Sequence, residues 1–243
     1  MPLVRWTAAP VCADCLAGLE PLAPLAQCSR CGLPFESGAP LHGAGLCGLC
    51  RREATPFDWA RGYGAYEGSL RQLIHLLKYG RMEALGQPLA ERLAPLLAEA
   101  GPADLIVPVP LYWLRSWRRG FNQSEMVARE LSRLTGLPLD RRCLRRTRDT
   151  ASQTGLTRRQ RRLNVRGAFT VRLPDRVRGK TIVLVDDVIT TGATVGACAR
   201  ALKRAGASRV VVVALARARQ RYLDMPAGAA PDQPRSLEAV CQA

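Results

Sequence analysis

The stretch TIVLVDDVITTGATV, residues 181–195, decides how this sequence is interpreted. Its first five residues are mainly apolar and predict a strand buried in a parallel sheet. Asp186 and Asp187 follow at the carboxyl end of this strand, where open α/β sheets bind their ligands. We expect the next helix to begin near Ala193, so that residues 190–194 form its first turn. The unpaired N–H groups and the helix dipole at such a turn favour a bound anion.

The side chains of this turn suit a sugar phosphate better than phosphate alone. Gly192 lets the backbone approach a ligand closely, and Thr190, Thr191 and Thr194 carry hydroxyl groups that can donate hydrogen bonds. Two carboxylates would repel a bare phosphate, but they can accept hydrogen bonds from the hydroxyl groups of an attached sugar. The simpler interpretation is a strand that ends in acids capping a helix.

Alternating apolar and helical patterns predict an α/β fold with a parallel sheet flanked by helices. The clearest unit is a strand at 181–187, a helix at 194–206 and a strand at 209–216. Helices are also predicted at 69–79, within 82–99 with interruptions at its prolines, and at 122–135, and a further strand is predicted at 104–110. We expect three regions: a cysteine-rich domain at 1–55, the α/β domain at 56–219 and a flexible tail at 220–243.

The chain has 243 residues and a formal net charge of +16, and only three of its basic residues are lysines. Such an excess favours polyanionic partners, either nucleic acid or a phosphate-rich ligand. GC-rich coding explains the abundance of arginine, alanine, glycine and proline equally well. No apolar run approaches the roughly 20 residues that span a bilayer, and the first ten residues lack the apolar segment of a secretory signal. We therefore expect a cytoplasmic protein.

Three C-x-x-C pairs lie in the first fifty residues, at 12/15, 28/31 and 47/50. In a cytoplasmic chain such pairs are typical of metal ligands. The fifteen residues between the second and third pairs match a zinc-binding spacing. The predicted ligands are therefore Cys28, Cys31, Cys47 and Cys50. Thiolates also suit an iron–sulfur cluster, but the spacing favours zinc, and four protein ligands predict a structural site.

An apolar strand followed by DDVITTGAT, residues 186–194, resembles the 5-phosphoribosyl-1-pyrophosphate (PRPP) loop of the type I phosphoribosyltransferases. The resemblance implies that Asp186 and Asp187 face the ribose 2′- and 3′-hydroxyl groups, with Mg²⁺ bridging the ribose and the pyrophosphate. It also implies that the 5-phosphate is held by the residues of the turn, Thr190, Thr191, Gly192, Ala193 and Thr194.

One position departs from this pattern. In several purine-salvage members, an aspartate that handles a nucleobase proton stands where this chain has Thr190. A threonine cannot act as a base near neutral pH. The resemblance therefore supports PRPP binding more strongly than phosphoribosyl transfer.

A zinc ribbon joined to such a domain resembles the ComF family of competence proteins. The stretches that carry the resemblance follow the family's order along nearly the whole chain: CSRCGLP, LIHLLKYGR, VPVPL, RRGFNQSE, ASQTGLTRRQRRLNVRGAF and VDDVITTGAT. The resemblance implies a role in natural transformation or in the use of DNA as a nutrient, with single-stranded DNA and a competence helicase as expected partners. Many members carry a fourth C-x-x-C pair. Without it Cys12 and Cys15 lack partners, either because a second metal site is lost or because the true start lies upstream.

Two basic segments resemble the pyrophosphate side of the superfamily's pocket. In RSWRRGFNQ, residues 115–123, Arg115 and Arg119 are predicted to bind pyrophosphate. Residues 145–167 contain eight arginines and one acid. This segment resembles the mobile hood that closes over PRPP, and the resemblance brings four polar residues near the pocket: Gln153, Arg158, Arg162 and Asn164. A basic face of this kind also suits a DNA backbone, and a solvated loop without a role is the simpler alternative.

Three functions are compatible with these features. The first is a phosphoribosyltransferase that uses PRPP. The second is a PRPP sensor whose working activity is to bind DNA or a helicase, which the threonine at position 190 favours. Nucleotide salvage is a weaker third, because it requires a base-recognition segment that the sequence does not display.

Overall fold

The computed structural model describes residues 11, 16–23, 27–35, 45–79, 82–112, 121–150 and 156–219. The predicted tail at 220–243 lies outside this part of the chain. The helices are α1 (Gly48–Arg52), α2 (Gly68–Tyr79), α3 (Gly86–Ala100), α4 (Gln123–Thr135), α5 (Arg158–Asn164) and α6 (Ala193–Arg204). The strands are β1 (Trp59–Ala65), β2 (Leu105–Pro108), β3 (Leu144–Arg146), β4 (Phe169–Val171), β5 (Thr181–Ile189) and β6 (Arg209–Arg217). Within the described residues, no helix is both long enough and apolar enough to cross a membrane.

Four parallel strands form the central sheet in the order β1-β6-β5-β2. β5 pairs with β6 from its first residue to Ile189, which lies opposite Arg217. On its other side, β5 pairs with the four residues of β2, the last of which, Pro108, lies opposite Val185. β5 therefore continues beyond the end of β2, and the residues after Val185 lie at the open carboxyl edge of the sheet.

The two faces of β5 contribute to separate hydrophobic layers, because successive side chains of a strand point to opposite faces. Ile182 and Leu184 belong to the layer that contains α6 and the four cysteines predicted as metal ligands. Val183 and Val185 belong to the layer that contains α2, α3 and α4. The cysteine-rich segment thus packs on the same face of the sheet as the helix that follows the acidic strand.

The predicted α/β architecture is confirmed, and β5, α6 and β6 lie within two residues of their expected bounds. The predicted interruption of the helix within 82–99 is wrong, since α3 is continuous and contains Pro95. Pro88 lies in the first turn of α3, where its missing N–H costs little. Leu93 and Leu97 on either side of Pro95 are buried in the core and hold that half of the helix in place.

Several elements gave no clear signal in the sequence. β1 contains Arg61, Gly62 and Gly64, which are unusual in a buried strand, yet β1 pairs with β6 along the sheet edge. Gly62 is needed because a Cβ at this position would lie 2.6 Å from the backbone nitrogen of Arg217. The segment predicted as a mobile hood lies between β3 and β4, which pair antiparallel, and contains α5, which has no buried residue.

Candidate functional site

The two acids of β5 lie at the carboxyl edge of the sheet, as predicted, although the strand continues past them to Ile189. The Ser124 hydroxyl donates a hydrogen bond to Oδ1 of Asp186 at 3.2 Å. The backbone N–H of Asp187 donates to the same oxygen at 2.9 Å. Ser124 belongs to the first turn of α4, so this helix start also faces the acids. Both acids are partly buried at this edge.

Lys78, the penultimate residue of α2, forms an ion pair with Asp187. Nζ of Lys78 lies 3.0 Å from Oδ2 of Asp187, and both side chains are less than a fifth exposed. Burial alone would lower the pKa of Lys78, but the ion pair with Asp187 and the nearby Tyr66 and Asp186 together outweigh burial and raise this pKa above its usual value.

Asp186 is unusual for an acid at neutral pH. Burial of its carboxyl group, reinforced by the neighbouring charge of Asp187, raises its pKa to about 7. Lys78 and the hydrogen bonds from Ser124 and the Asp187 backbone oppose this shift in part. The edge of the sheet thus carries one titrating carboxyl group beside one ion-paired carboxylate.

The turn between β5 and α6 has the conformation expected of an anion-binding helix start. Gly192 is the N-cap of α6 and has a φ of 76°, in the left-handed region that favours glycine. The Thr191 hydroxyl accepts a hydrogen bond from the Ala193 N–H at 3.3 Å. The predicted start of the helix near Ala193 is confirmed. Gly192 and its neighbours therefore present the amino end of a twelve-residue helix beside Asp186.

Arg217, the last residue of β6, joins this turn to the cysteine-rich segment. Its side chain is 3% exposed. Nη1 donates hydrogen bonds to the carbonyl oxygens of Ile189, at 2.9 Å, and Thr190. Nε donates to the carbonyl oxygen of Cys31 at 3.2 Å. No motif in the sequence marked Arg217 as a site residue. Its position at the end of the apolar strand RVVVVALAR nevertheless indicates a charged side chain that needs buried hydrogen-bond acceptors.

The four predicted metal ligands converge, with all their sulfur atoms within 4.8 Å of one another. The Sγ atoms of Cys31 and Cys47 are 3.7 Å apart. Four sulfurs about 2.3 Å from one tetrahedral ion would lie about 3.8 Å apart, so the geometry suits a single ion such as zinc. Hydrogen bonds among the four thiols lower the pKa of Cys28 and raise the pKa of both Cys31 and Cys50. All four cysteines are buried, so this could be a closed metal site.

The first cysteine knuckle is also anchored to the edge strand of the sheet. Arg61 of β1 donates from Nη1 to the carbonyl oxygens of Cys28, at 3.2 Å, and Ser29, at 3.1 Å. The N–H of Ala60 donates to the carbonyl oxygen of Arg30 at 2.8 Å. Cys12 and Cys15 lie outside the described residues. Cys143 and Cys198 are fully buried.

The hood residues within the described part of the chain lie on α5. Arg158 and Arg162 line a cavity of about 110 Å³ together with Thr191, Gly192 and residues of the cysteine-rich segment. Arg162 also forms an ion pair with Glu53. The carbonyl oxygen of Asn164 accepts a hydrogen bond from Arg148 at 3.0 Å, and its side chain is not among the residues lining that cavity. Gln153, Arg115 and Arg119 lie outside the described residues.

Asn122 is the N-cap residue of α4. Its side-chain oxygen accepts a hydrogen bond from the Ser124 N–H at 3.2 Å and caps α4. Its amide nitrogen donates to the carbonyl oxygen of Val109 at 3.1 Å. Glu125 does not complete a capping box and instead pairs with Arg141 at 2.7 Å. Asn122 thereby fixes the start of α4 against the segment that follows β2.

A second cavity, of about 230 Å³, opens between the end of β2, the start of α4 and the β3–β4 ribbon. Five arginines line it: Arg141, Arg142, Arg145, Arg146 and Arg172. Arg146 is buried against the ring of Phe169, whereas Arg145 and Arg172 are exposed. This cavity therefore carries a local cluster of positive charge.

Comparison with known proteins identifies relatives of the whole arrangement. The family model described as Phosphoribosyl transferase domain matches residues 85–229. DNA utilization protein YhgH of Escherichia coli K12 is 38% identical over 196 residues, covering 78% of this chain and 83% of the relative. Competence protein F of Haemophilus influenzae is 31% identical over 198 residues, covering 79% and 84%. A solved structure, the glutamine PRPP amidotransferase from B. subtilis complexed with ADP and GMP, is 26% identical, covers 51% of this chain and 26% of its own, and has a TM-score of 0.35.

The parallel sheet, the acidic strand end and the turn into α6 define a domain of the phosphoribosyltransferase type. The four-cysteine cluster lies outside the matched region and packs against it. The chain belongs to the phosphoribosyl transferase domain family and, within it, to the ComF family that includes DNA utilization protein YhgH and competence protein F.

The raised pKa of Asp186 predicts a specific pH dependence of stability. An unfolded aspartate ionises near 3.8, whereas the folded protein keeps this carboxyl protonated up to about pH 7, so ionisation of Asp186 costs stability as the pH rises between these values. Asp186→Asn removes that cost. We expect its free energy of unfolding, relative to wild type, to increase by roughly 1–3 kcal/mol between about pH 4 and about pH 8.

Urea denaturation at a series of pH values measures this difference. Asp175→Asn is the matched control, because the Asp175 side chain is 88% exposed, and it should follow the wild type at every pH. A constant difference between Asp186→Asn and wild type across the range would contradict the assignment.

Proposed function

We propose that the protein binds PRPP together with Mg²⁺ at the turn between β5 and α6. Asp186 and Asp187 would accept hydrogen bonds from the ribose hydroxyl groups, and the 5-phosphate would lie on residues 190–194. The observation that carries this proposal is the pair of acids on an overhanging strand end, followed directly by a helix start led by Gly192 with positive φ. Mg²⁺ would supply positive charge between the ribose oxygens and the pyrophosphate, and carboxylates are ligands that it prefers.

The ion pair of Lys78 with Asp187 supports this assignment of roles. It holds the Asp187 carboxylate in position at the edge of the sheet. A ribose hydroxyl group or a magnesium-bound water can then approach a carboxylate that is already oriented. Lys78 would remain close enough to share an anionic ligand.

We assign the hood residues to the pyrophosphate side of the same site. The assignment of Arg158 and Arg162 is supported by the cavity that they line together with Thr191 and Gly192 of the turn. Guanidinium groups suit phosphate oxygens because they donate in a planar fork. Four further residues are proposed for this side: Arg115, Arg119, Gln153 and Asn164.

We assign a structural zinc ion to Cys28, Cys31, Cys47 and Cys50. The sulfur separations and the burial of all four residues support one tetrahedral ion without an open coordination position. Such a centre would hold the two knuckles together and stabilise a short segment that has little core of its own.

Loss of the Asp187 carboxylate should weaken PRPP binding. Asp187→Asn is expected to raise the Kd at least tenfold in the presence of Mg²⁺, because a charge-assisted hydrogen bond and a metal contact are lost together. Isothermal titration calorimetry measures the Kd, and thermal unfolding of each variant shows whether the fold is retained.

Asp175→Asn, a substitution of an exposed acid, serves as the matched control and should bind PRPP like the wild type. Absence of PRPP binding to the wild type, or equal binding by wild type and Asp187→Asn, would refute the proposed site.

We further propose that the protein binds single-stranded DNA and acts in DNA uptake or DNA utilisation in the cytoplasm, with a competence helicase among its partners. The relatives named for DNA utilization and competence support the process. The arginines around the larger cavity support the ligand, since a row of guanidinium groups suits a phosphate backbone. Direct base recognition is not part of the proposal, because these surfaces offer arginine rather than stacking aromatic rings.

Replacement of exposed arginines at this cavity should reduce the salt dependence of DNA binding. Each phosphate contact that is lost lowers the slope of log K against log salt by about 0.7 for single strands. Arg145→Ala combined with Arg172→Ala is therefore expected to lower the slope by about 1.4, measured by fluorescence anisotropy with a labelled oligonucleotide. Arg178→Ala, which removes an exposed arginine outside the cavity lining, should leave the slope unchanged. An equal effect of all these substitutions would show that the cavity is not the contact surface.

Phosphoribosyl transfer and PRPP sensing both remain consistent with this site. Thr190 favours sensing, because neither its hydroxyl group nor its Arg217-bound carbonyl group can act as a base. The ordered acids favour transfer, since a transferase must also hold the ribose. Nucleotide salvage lacks any supporting contact in the described residues.

Release of pyrophosphate separates the two functions. If the protein is a sensor, pyrophosphate production from PRPP should equal that of Asp187→Asn, with and without single-stranded DNA. If it is a transferase, DNA or a DNA-derived acceptor should raise the wild-type rate well above that of the variant. A coupled phosphate assay follows the reaction directly.

A further inference from the structure

Arg217 is the buried group that the proposed function leaves without a role. On one side, its guanidinium group donates to the carbonyl oxygen of Cys31 in the cysteine cluster. On the other side, it donates to the carbonyl oxygens of Ile189 and Thr190, where β5 enters its turn into α6, which we call the phosphate turn. Within the described residues, no carboxylate forms a salt bridge with Arg217. A buried cation that lacks an acid partner depends on its carbonyl acceptors, and the loss of one acceptor is costly.

On the side of the turn, Arg217 helps to fix the direction of two peptide groups, one of which also accepts a hydrogen bond from the Ala218 N–H, at 3.0 Å to the Ile189 carbonyl oxygen. The C=O and N–H groups of a trans peptide point in opposite directions. Because the carbonyl groups of Ile189 and Thr190 point toward Arg217, the N–H groups of Thr190 and Thr191 point away from it. This orientation leaves those N–H groups available to the ligand side of the turn, where Gly192 and the start of α6 supply further donors.

On the side of the cysteines, the acceptor depends on the knuckle. The Cys31 carbonyl belongs to the same residue as one of the four converging sulfurs. A bound ion fixes that sulfur and thereby restricts the position of the Cys31 carbonyl group. Without the ion, the knuckle is free to rearrange, which weakens the support that Arg217 receives from this carbonyl group.

We propose that Arg217 is a positioning residue that couples the four-cysteine centre to the phosphate turn, so that metal occupancy controls the affinity for PRPP. This inference rests on the proposed binding of PRPP at the turn. It adds that the metal centre regulates that site through one side chain. Loss of the metal would release the turn, and binding of PRPP would strengthen metal retention by the same factor, because coupling between two sites is reciprocal.

A thermodynamic cycle tests the coupling. The Kd for PRPP with Mg²⁺ is measured for wild type and for Arg217→Lys, each with one zinc ion per chain by elemental analysis and again after treatment with a zinc-selective chelator. We expect zinc removal to weaken binding by wild type about tenfold, within the usual range for coupled sites. Zinc-loaded Arg217→Lys should bind PRPP more weakly than zinc-loaded wild type, because a lysine cannot bridge both sets of carbonyl groups. Zinc removal should raise the Kd of this variant by at most about twofold.

The control is Arg209→Lys at the other end of β6, where the guanidinium group donates to the carbonyl oxygen of Ala100. This variant should keep the full zinc effect. Equal zinc effects in wild type and Arg217→Lys, or none in wild type, would overturn the proposal. If chelation unfolds the chain, Cys47→Ser on the knuckle that does not contact Arg217 replaces it as the way to weaken the centre.

Hydrogen exchange separates failure of the coupling from failure of the proposed function. In wild type, the amides of residues 190–195 should exchange faster after zinc removal. In Arg217→Lys, the same amides should already exchange fast with zinc bound and should change little when zinc is removed. Both results are expected whether or not PRPP binds. If PRPP does not bind but this exchange pattern is found, the proposed ligand is wrong and the coupling is retained. If PRPP binds but exchange is insensitive to zinc, the coupling is wrong.

Discussion

The account depends on the length and register of β5. The strand continues past Val185, where its neighbour β2 ends at Pro108, while β6 stays paired with it to Ile189. This overhang leaves the two acids at an open edge of the sheet, where a parallel fold binds its ligands. The same register sets Ile189 opposite Arg217. One strand pairing therefore places the acids, the turn and the buried guanidinium group together.

Local patterns were sufficient to predict the central parts of the fold and the convergence of the four cysteines. The apolar run, the paired acids and Gly192 predicted β5, the turn and α6, because each signal acts within a few residues of the structure it determines. The spacing of the cysteine pairs likewise predicted the cluster, since Cys28 and Cys31 form one knuckle and Cys47 and Cys50 the other. The strand signal of β1 was too weak for a prediction, because a residue such as Gly62 is required by its contact with the neighbouring strand and not by local strand preference.

The contacts that tie the site together could not be predicted from local patterns. Lys78 meets Asp187 across more than a hundred residues of sequence, and Arg217 meets Cys31 across 186. Neither side chain carries a local mark of its partner. The only indication is that a charged group ending an apolar element must find an acceptor, which says that a contact exists but not where. The total charge of the sequence likewise did not predict where basic residues gather, because the fold brings together arginines from separate segments at one cavity.

A crystal structure of the protein with PRPP and Mg²⁺ tests the central claim most directly. The account predicts that the 5-phosphate lies at the start of α6, within hydrogen-bond distance of the backbone of residues 191–194, and that the ribose hydroxyl groups contact Asp186 and Asp187. A complex in which PRPP binds elsewhere, and in which Asp187 contacts only Lys78, would contradict the account.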